Sequence, residues 1–151
     1  IVPRRGTFVA DINITDLQAI FEVRTVLAGF CARLAAQRAT EGQIAQMEAV
    51  LQGLEQAQDR DFKALMDIDR NFQRLLYQAT GNKFLSDALN RLYDSGLRLW
   101  YLALPRLSNV RDAVEQHQEI LESLKARDEA RSEMLIQQHV TQFQQKIKSV
   151  L

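Results

Sequence analysis

Apolar side chains recur at every third or fourth position along most of the chain, which is the spacing of one face of an α-helix. In DIDRNFQRLL, residues 67–76, Phe72 and Leu76 lie four positions apart and so share a face. Only two prolines and six glycines interrupt the chain, which favours helices over strands and turns. The sequence predicts six helices, over residues 16–38, 41–57, 61–80, 83–104, 109–126 and 129–151.

Residues that favour helix ends mark most of these boundaries. The stretch TEGQ, residues 40–43, has the capping-box pattern, in which Thr40 and Gln43 each accept a backbone N–H of the other. Gly81 followed by Asn82 is typical of the end of a helix, and Pro105 cannot continue one. The other predicted N-caps are Thr15, Ser108 and Asp128.

One carboxylate lies on the predicted apolar face of the third helix. Successive helical residues are about 100° apart, so Leu65, Phe72 and Leu76 fall on the same side as Asp69. Arg70, the next residue, falls toward the other side. The pattern therefore predicts a buried acid where a leucine would be expected.

Four more polar residues lie on or beside apolar faces. His117 is on a clean apolar face of the fifth helix, and His139 is on a less clean face of the sixth. Arg24 is on an apolar face of the first helix, and Gln73 borders the face that carries Asp69. A lone buried histidine is ordinarily a satisfied core residue, and a buried charge without a partner is costly. Five such groups on four helices are better explained by one shared polar cavity.

We therefore predict an all-α fold, an antiparallel bundle of six to seven helices with a central polar cavity, because the connections are short. An acid and two neutral imidazoles suit a divalent metal such as zinc or nickel, which makes Asp69, His117 and His139 candidate ligands. Arg24 supplies a planar guanidinium suited to a carboxylate. Without a metal, Asp69 is expected to favour a protonated histidine by charge pairing.

Composition excludes several classes of protein. The 19 basic and 19 acidic residues give a formal charge of zero, which argues against nucleic-acid binding by this segment alone. No apolar run approaches the length of a membrane span, and the N-terminus lacks the apolar core of a signal peptide. Cys31 is the only cysteine, which fits a reducing, cytoplasmic location. Because the sequence starts with Ile1, we expect the natural chain to begin earlier.

Three stretches of the chain, with their order and spacing, resemble one known family. They are DLQAIFEVRTVLAGFCARLAAQRAT with Glu22 and Arg24 at its centre, DIDRNFQRLLYQATGN, and EQHQEILESLKARDEA. His139 follows His117 by 22 positions, on the last predicted helix. Together these features resemble the effector-binding C-terminal domain, or FCD domain, of FadR-type regulators in the GntR superfamily of transcription factors.

The resemblance implies two segments. Residues 1–10 resemble the wing of the winged helix-turn-helix domain that precedes the FCD domain in this family, and residues 11–151 are expected to form the FCD domain. Arg4 and Arg5 would then touch DNA phosphate, or belong to a cut end. Operator DNA is expected to bind only through the rest of the N-terminal domain, which this sequence lacks.

The family also implies a ligand set. Its metal-binding members use an aspartate and three histidines, and the matching positions here are Asp69, Gln73, His117 and His139. The sequence departs at Gln73, since an amide oxygen is a poor substitute for imidazole on zinc or nickel. Three good ligands remain, as in open metal sites. The expected cofactor is one divalent metal (zinc, nickel or manganese), with a purely organic polar pocket as the alternative.

The function implied is a ligand-sensing and dimerisation domain of a GntR/FadR-type regulator. A small carboxylic or sugar acid would bind the metal, pair with Arg24 and alter DNA binding by a homodimer. Arg98, Trp100 and Tyr101 are candidates for lining the pocket. Packing of both aromatic rings in the core or an interface, with Arg98 in solvent, is the simpler interpretation.

Two other functions stay open at this point. A metal held by one aspartate and two histidines can activate water for hydrolysis, but no separate general base or nucleophile is recognisable, so we expect no enzyme. A purely structural dimerisation module would instead pack tightly around Asp69 and leave no room for a ligand.

Overall fold

Seven α-helices make up most of residues 13–151, the part of the chain that the structure, a computed structural model, describes. Short 3-10 turns at Gly53–Glu55 and Leu104–Arg106 follow the second and fourth helices. No strand occurs in this range, which confirms the all-α class. The helices are α1 (Ile14–Arg38), α2 (Glu41–Gln52), α3 (Phe62–Gln78), α4 (Lys83–Ala103), α5 (Val110–Glu115), α6 (His117–Lys125) and α7 (Glu129–Val150). The predicted wing, residues 1–10, lies outside the described residues.

Two of the four predicted N-caps are confirmed and two are wrong. Thr40 forms both bonds of its capping box, and Asp128 accepts the backbone N–H of Arg131. At α1 the cap is Asn13, whose side chain accepts the backbone N–H of Asp16 at 2.9 Å, so Thr15 is already inside the helix. Before α5, Asn109 takes a left-handed conformation (φ 61°) that asparagine tolerates, and no side chain caps the helix. The position of Ser108 is therefore one residue too early.

Two helix boundaries also differ from the prediction. The second helix ends at Gln52 rather than near Ala57, and a 3-10 turn follows at Gly53–Glu55. The Arg111 guanidinium donates hydrogen bonds to the backbone carbonyls of Leu54 and Ala57 in this connection. The predicted fifth helix is split at Gln116 into α5 and α6. The side chain of Gln116 forms hydrogen bonds with α7.

The most extensive helix–helix contact in the bundle is between α1 and α7, which run antiparallel. Lys148 donates to the side chain of Gln18 at one end, and Gln37 donates to Glu129 at the other. Arg33 forms an ion pair of 2.7 Å with Glu133 in between. Residues near the start of α1 thus contact residues near the end of α7, and the reverse, which is the order expected of antiparallel helices.

The remaining helices pack around this pair and enclose the core. α1 also packs on α4, and α3 packs on α2, α4 and α5. The largest buried side chains are Trp100, Tyr77, Phe21 and Phe72. None of the helices within residues 13–151 combines the length and apolar character needed to cross a membrane.

Candidate metal centre

All five residues predicted to form the polar pocket are buried. Asp69 and Gln73 lie one turn apart on the inner face of α3, with exposed fractions of 8% and 1%. His117 is at the start of α6, His139 is in the middle of α7, and Arg24 is on α1. The helical spacing of the apolar residues thus placed each of these side chains on the correct face.

Three of the five residues meet as one cluster. His117 Nε2 lies 2.7 Å from Oδ1 of Asp69, and His139 Nε2 lies 3.8 Å from the same oxygen. The three candidate ligand atoms, one carboxylate oxygen and two ring nitrogens, are all within 4.8 Å of one another. The two imidazole rings are in edge contact, with centroids 4.4 Å apart. Asp69 therefore faces two histidines from two other helices.

The cluster fits a small divalent ion with slight adjustment. Two ligand atoms that each lie about 2.1 Å from one ion are separated by roughly 3 to 3.4 Å. The observed 2.7 Å and 3.8 Å distances from Asp69 Oδ1 fall on either side of that range. Oxygen and imidazole nitrogen donors of this kind suit zinc, nickel or manganese.

Two further residues form hydrogen bonds with the candidate ligands on the sides that face away from the cluster. The hydroxyl of Tyr93, on α4, donates to Asp69 Oδ2 at 2.6 Å, so Oδ1 is left to face the histidines. The side-chain oxygen of Gln116 lies 3.0 Å from Nδ1 of His139, which leaves Nε2 directed at the cluster. Metal-binding histidines and carboxylates ordinarily have such outer partners, which fix their orientation.

Neither Tyr93 nor Gln116 was predicted from the sequence. A signal for Tyr93 existed, since a tyrosine on a buried helical face needs a partner for its hydroxyl, and Asp69 needed one too. Gln116 had no such signal, because it precedes His117 at a position where the apolar spacing predicted an uninterrupted helix.

Asp69 is held in its ionised form. Burial raises the pKa of this carboxyl, but the hydrogen bond and charge attraction from His117, together with the nearby His139, outweigh burial and hold the pKa well below its usual range. An ionised carboxylate only accepts hydrogen bonds, so His117 Nε2 must carry the hydrogen of the 2.7 Å bond.

His139 is held in its neutral form. Burial and, to a smaller extent, the neighbouring His117 lower the pKa of His139, Asp69 opposes them without reversing them, and the resulting pKa is about 4. Asp69 does favour protonation of His139, as expected, but burial outweighs this charge pairing. A neutral imidazole is the form that binds a metal.

Arg24 contributes a buried positive charge beside the cluster. Its guanidinium lies over Trp100, at 5.1 Å from the ring centroid, and close to the rings of Tyr93 and Phe21. Across residues 13–151, Arg24 forms no ion pair within 4 Å and its Nε has no hydrogen-bond partner. Gln73 Nε2 is likewise buried without a partner in that range. Arg24 lines the cavity beside the cluster, so its guanidinium can donate to an anion there.

The interior cavity beside these groups is small. Arg24, Asp69 and His139 line it together with the rings of Trp100 and Phe143, which are in edge contact with their centroids 5.8 Å apart. Its volume is about 10 Å³, which is the size of one water molecule rather than of an organic acid. Of the three residues considered as lining on α4, only Trp100 reaches the cavity, while Arg98 and Tyr101 are exposed.

Known proteins similar to this chain are bacterial transcription regulators. The chain is 27% identical over 152 residues to the HTH-type transcriptional repressor RspR of Escherichia coli K12, covering 98% of this chain and 65% of RspR. It is 24% identical over 132 residues to the regulator McbR of the same strain, covering 85% of this chain and 59% of McbR. The chain thus spans about two thirds or less of the length of these relatives.

Solved structures show the same fold. E. coli McbR/YncC superposes with a TM-score of 0.78 at 23% identity, covering 89% of this chain and 65% of McbR. The metal-free FCD domain of TM0439 superposes with a TM-score of 0.74 at 14% identity, covering 91% of this chain and 95% of that domain. A sequence profile of the FCD domain matches residues 19–142, most of the chain. The chain therefore belongs to the FCD domain family.

Proposed function

We propose that this chain is the ligand-sensing domain of a GntR/FadR-type transcription regulator and that Asp69, His117 and His139 hold one divalent metal. The observation that carries the proposal is the convergence of one ionised carboxylate and two imidazole nitrogens within 4.8 Å, from three helices, in the interior. Within and beside the cluster, Arg24 Nε, Gln73 Nε2 and His117 Nδ1 are buried without a hydrogen-bond partner among residues 13–151, which is costly unless a ligand satisfies them. The relatives support regulation rather than hydrolysis, because they are transcription regulators.

The effector is proposed to be a small carboxylic or sugar acid. A bound divalent ion would supply a positive charge and open coordination positions for a carboxylate. Arg24 would pair with the same group, because its guanidinium is buried beside the cluster without an acidic partner among residues 13–151. The unpartnered Gln73 amide would donate a further hydrogen bond.

Entry of such an acid requires a rearrangement of the bundle. The cavity holds about 10 Å³, so residues that line it must move apart before an organic acid fits, and Trp100 and Phe143 are proposed to be the pair that separates. Arg24 is on α1, the helix that follows the N-terminal segment, so displacement of Arg24 by the acid would move α1. Such an effector changes DNA affinity only as far as it prefers one arrangement of the helices over the other.

A homodimer is proposed to form through the outer face of α1. Val23, Val26 and Phe30 are spaced by three and four positions and are 50%, 65% and 48% exposed. Apolar residues repeated at this spacing on an exposed helical face are typical of a helix that packs against another helix. DNA would be bound through a domain outside this chain.

Elemental analysis of the untagged protein tests the metal centre. We expect close to one zinc, nickel or manganese per chain, lost in Asp69→Asn and retained in Asp67→Asn, whose carboxylate is exposed on the same helix. No metal in the wild type, even after metal is added back, would refute the metal centre.

One observation favours a second candidate, the purely structural dimerisation module. The tight packing around Asp69 is what such a module requires. Thermal unfolding with a panel of small carboxylates, with and without added metal, separates the two candidates. A sensor is stabilised by at least one acid through Arg24, and the stabilisation is lost in Arg24→Met; a structural module is stabilised by none.

A further inference from the structure

Gln116 occupies the single position between α5 and α6, next to one candidate ligand in the chain and in contact with another in space. It precedes His117 directly, and its side-chain oxygen lies 3.0 Å from Nδ1 of His139. Its side-chain nitrogen donates to Oε1 of Gln142, 2.9 Å away and on the same helix as His139. The Gln116 amide therefore bonds α7 at two points.

These two bonds determine which nitrogen of His139 carries the hydrogen. Because the NH₂ of Gln116 is used in the bond to Gln142, its oxygen is the atom presented to His139. An amide oxygen only accepts, so Nδ1 of His139 must donate. A neutral imidazole has one N–H, which leaves Nε2 with a free lone pair on the side of Asp69.

We infer that Gln116 is a positioning residue that keeps His139 in the tautomer and ring orientation needed to bind a metal through Nε2. The inference rests on the proposed metal centre. The two candidate histidines differ in this respect, since His117 Nε2 donates to Asp69 and its Nδ1 has no partner among the described residues. His139 is thus prepared for a metal in advance, whereas His117 must first give up a hydrogen bond.

The test compares Gln116→Met with Gln116→Glu and with Gln118→Met, a control at an exposed position two residues further along. Methionine has nearly the same length as glutamine but accepts no strong hydrogen bond, while glutamate keeps an oxygen for His139. Two quantities are measured for each protein: zinc affinity by competition with a chelator, and the His139 tautomer in the metal-free protein by two-bond ¹H–¹⁵N NMR.

In Gln116→Met we expect zinc to bind about 10- to 100-fold more weakly, as for other outer-partner substitutions, and the Nδ1–H form of His139 to lose its dominance. Gln116→Glu should retain both properties, and Gln118→Met should match the wild type. Unchanged affinity and an unchanged tautomer in Gln116→Met would overturn the inference. If Gln116→Met does not fold, Gln116→Asn, whose amide is one methylene too short for the bond, decides in the same way.

The two proposals fail in different ways. A wild-type protein that binds no zinc, nickel or manganese refutes the metal centre, and with it a metal-positioning role for Gln116. A wild type that binds metal while Gln116→Met keeps full affinity and the same tautomer refutes only the role of Gln116.

Discussion

The hydroxyl oxygen of Tyr93 lies 2.6 Å from Oδ2 of Asp69, and this bond joins α4 to α3 at the candidate metal centre. Burial, together with the negative charge of Asp69, raises the pKa of Tyr93, so the phenol keeps its proton and acts as the donor. Because Tyr93 occupies Oδ2, the other carboxylate oxygen is directed at the two histidines. Tyr93 thus determines which oxygen of Asp69 is offered to a metal.

Replacing Tyr93 with phenylalanine removes this donor and leaves the ring in place. The buried carboxylate then lacks one hydrogen bond, and a bond to a charged group contributes about 2 kcal/mol. We expect Tyr93→Phe to lower the free energy of unfolding in urea by about that amount and to weaken metal binding about tenfold or more. The control is Tyr101→Phe on the same helix, where the side chain is 43% exposed. Equal effects of the two substitutions would show that the Tyr93 bond does not support the site.

The departure at Gln73 from the family ligand set gives a second prediction. Gln73 lies one turn from Asp69 and is 1% exposed. Its Nε2 has no hydrogen-bond partner among residues 13–151, so replacing Gln73 with histidine breaks no hydrogen bond formed by that nitrogen. We expect Gln73→His to strengthen zinc binding at least about tenfold, or about 1.4 kcal/mol, by adding a third imidazole. Gln78→His, at an exposed position of the same helix, is the control. No gain over that control would mean that position 73 does not face the metal.

Acid should destabilise the metal-free protein through His139. Burial lowers the pKa of His139 to about 4, against about 6.5 in the unfolded chain, so the unfolded state binds more protons between these values. The stability that neutral His139 provides is therefore present above pH 6.5 and lost as the pH falls toward 4. Asp69, with its lowered pKa, acts in the same direction at still lower pH.

Urea unfolding at pH 7 and pH 5 measures this effect. We expect His139 to account for a loss of about 2 kcal/mol between the two values. His139→Gln lacks the titrating group and should lose correspondingly less, while acidic residues elsewhere affect both proteins alike. Identical losses in the two proteins would show that His139 is not buried in a neutral form. Metal binding should also weaken over this range, because protons compete for the ligands.

The parts of the site that could be predicted are those that follow from helical spacing. Asp69, His117 and Arg24 each lie among apolar residues three and four positions away, and this places them inside any helical bundle. The spacing within one helix cannot show that three helices bring these groups to one point. The number of inward polar groups led to the expectation of a shared cavity, and the resemblance to FCD domains supplied the ligand set. Gln73 is buried as predicted, but its distance from the cluster was beyond the reach of a one-helix argument.

The parts that could not be predicted depend on contacts between helices. The break at Gln116 leaves no mark in the apolar pattern, because α5 and α6 continue the same buried face on either side of it. Asn13 displaced Thr15 as a cap because both residues favour that position and only the final helix start selects between them. The cavity volume depends on how Trp100 and Phe143 pack, which no single helix determines.

The proposed dimer face on α1 leads to a fourth prediction. Val26 is 65% exposed at the centre of the outer apolar face, so aspartate there would place a charge in the interface without disturbing the core. We expect Val26→Asp to shift the protein from dimer to monomer in sedimentation-velocity experiments. Met134→Asp, at a 48% exposed position on α7, is the control. A dimer that persists in Val26→Asp would place the interface on another face.

The last prediction concerns Trp100 and Phe143, the two rings that line the cavity. Trp100 fluorescence reports on the cavity because it is the only tryptophan in the chain. Phe143 is partly buried against Trp100, so Phe143→Ala should enlarge the cavity and lower the free energy of unfolding by about 1 to 3 kcal/mol. If separation of these rings limits entry, small carboxylates should change Trp100 fluorescence faster in Phe143→Ala than in the wild type. Phe84→Ala, at an 85% exposed position, should leave the rate unchanged. If acids bind to Phe143→Ala no faster than to the wild type, the entrance to the cavity lies elsewhere. If no acid changes the fluorescence of either protein, the result supports the structural module.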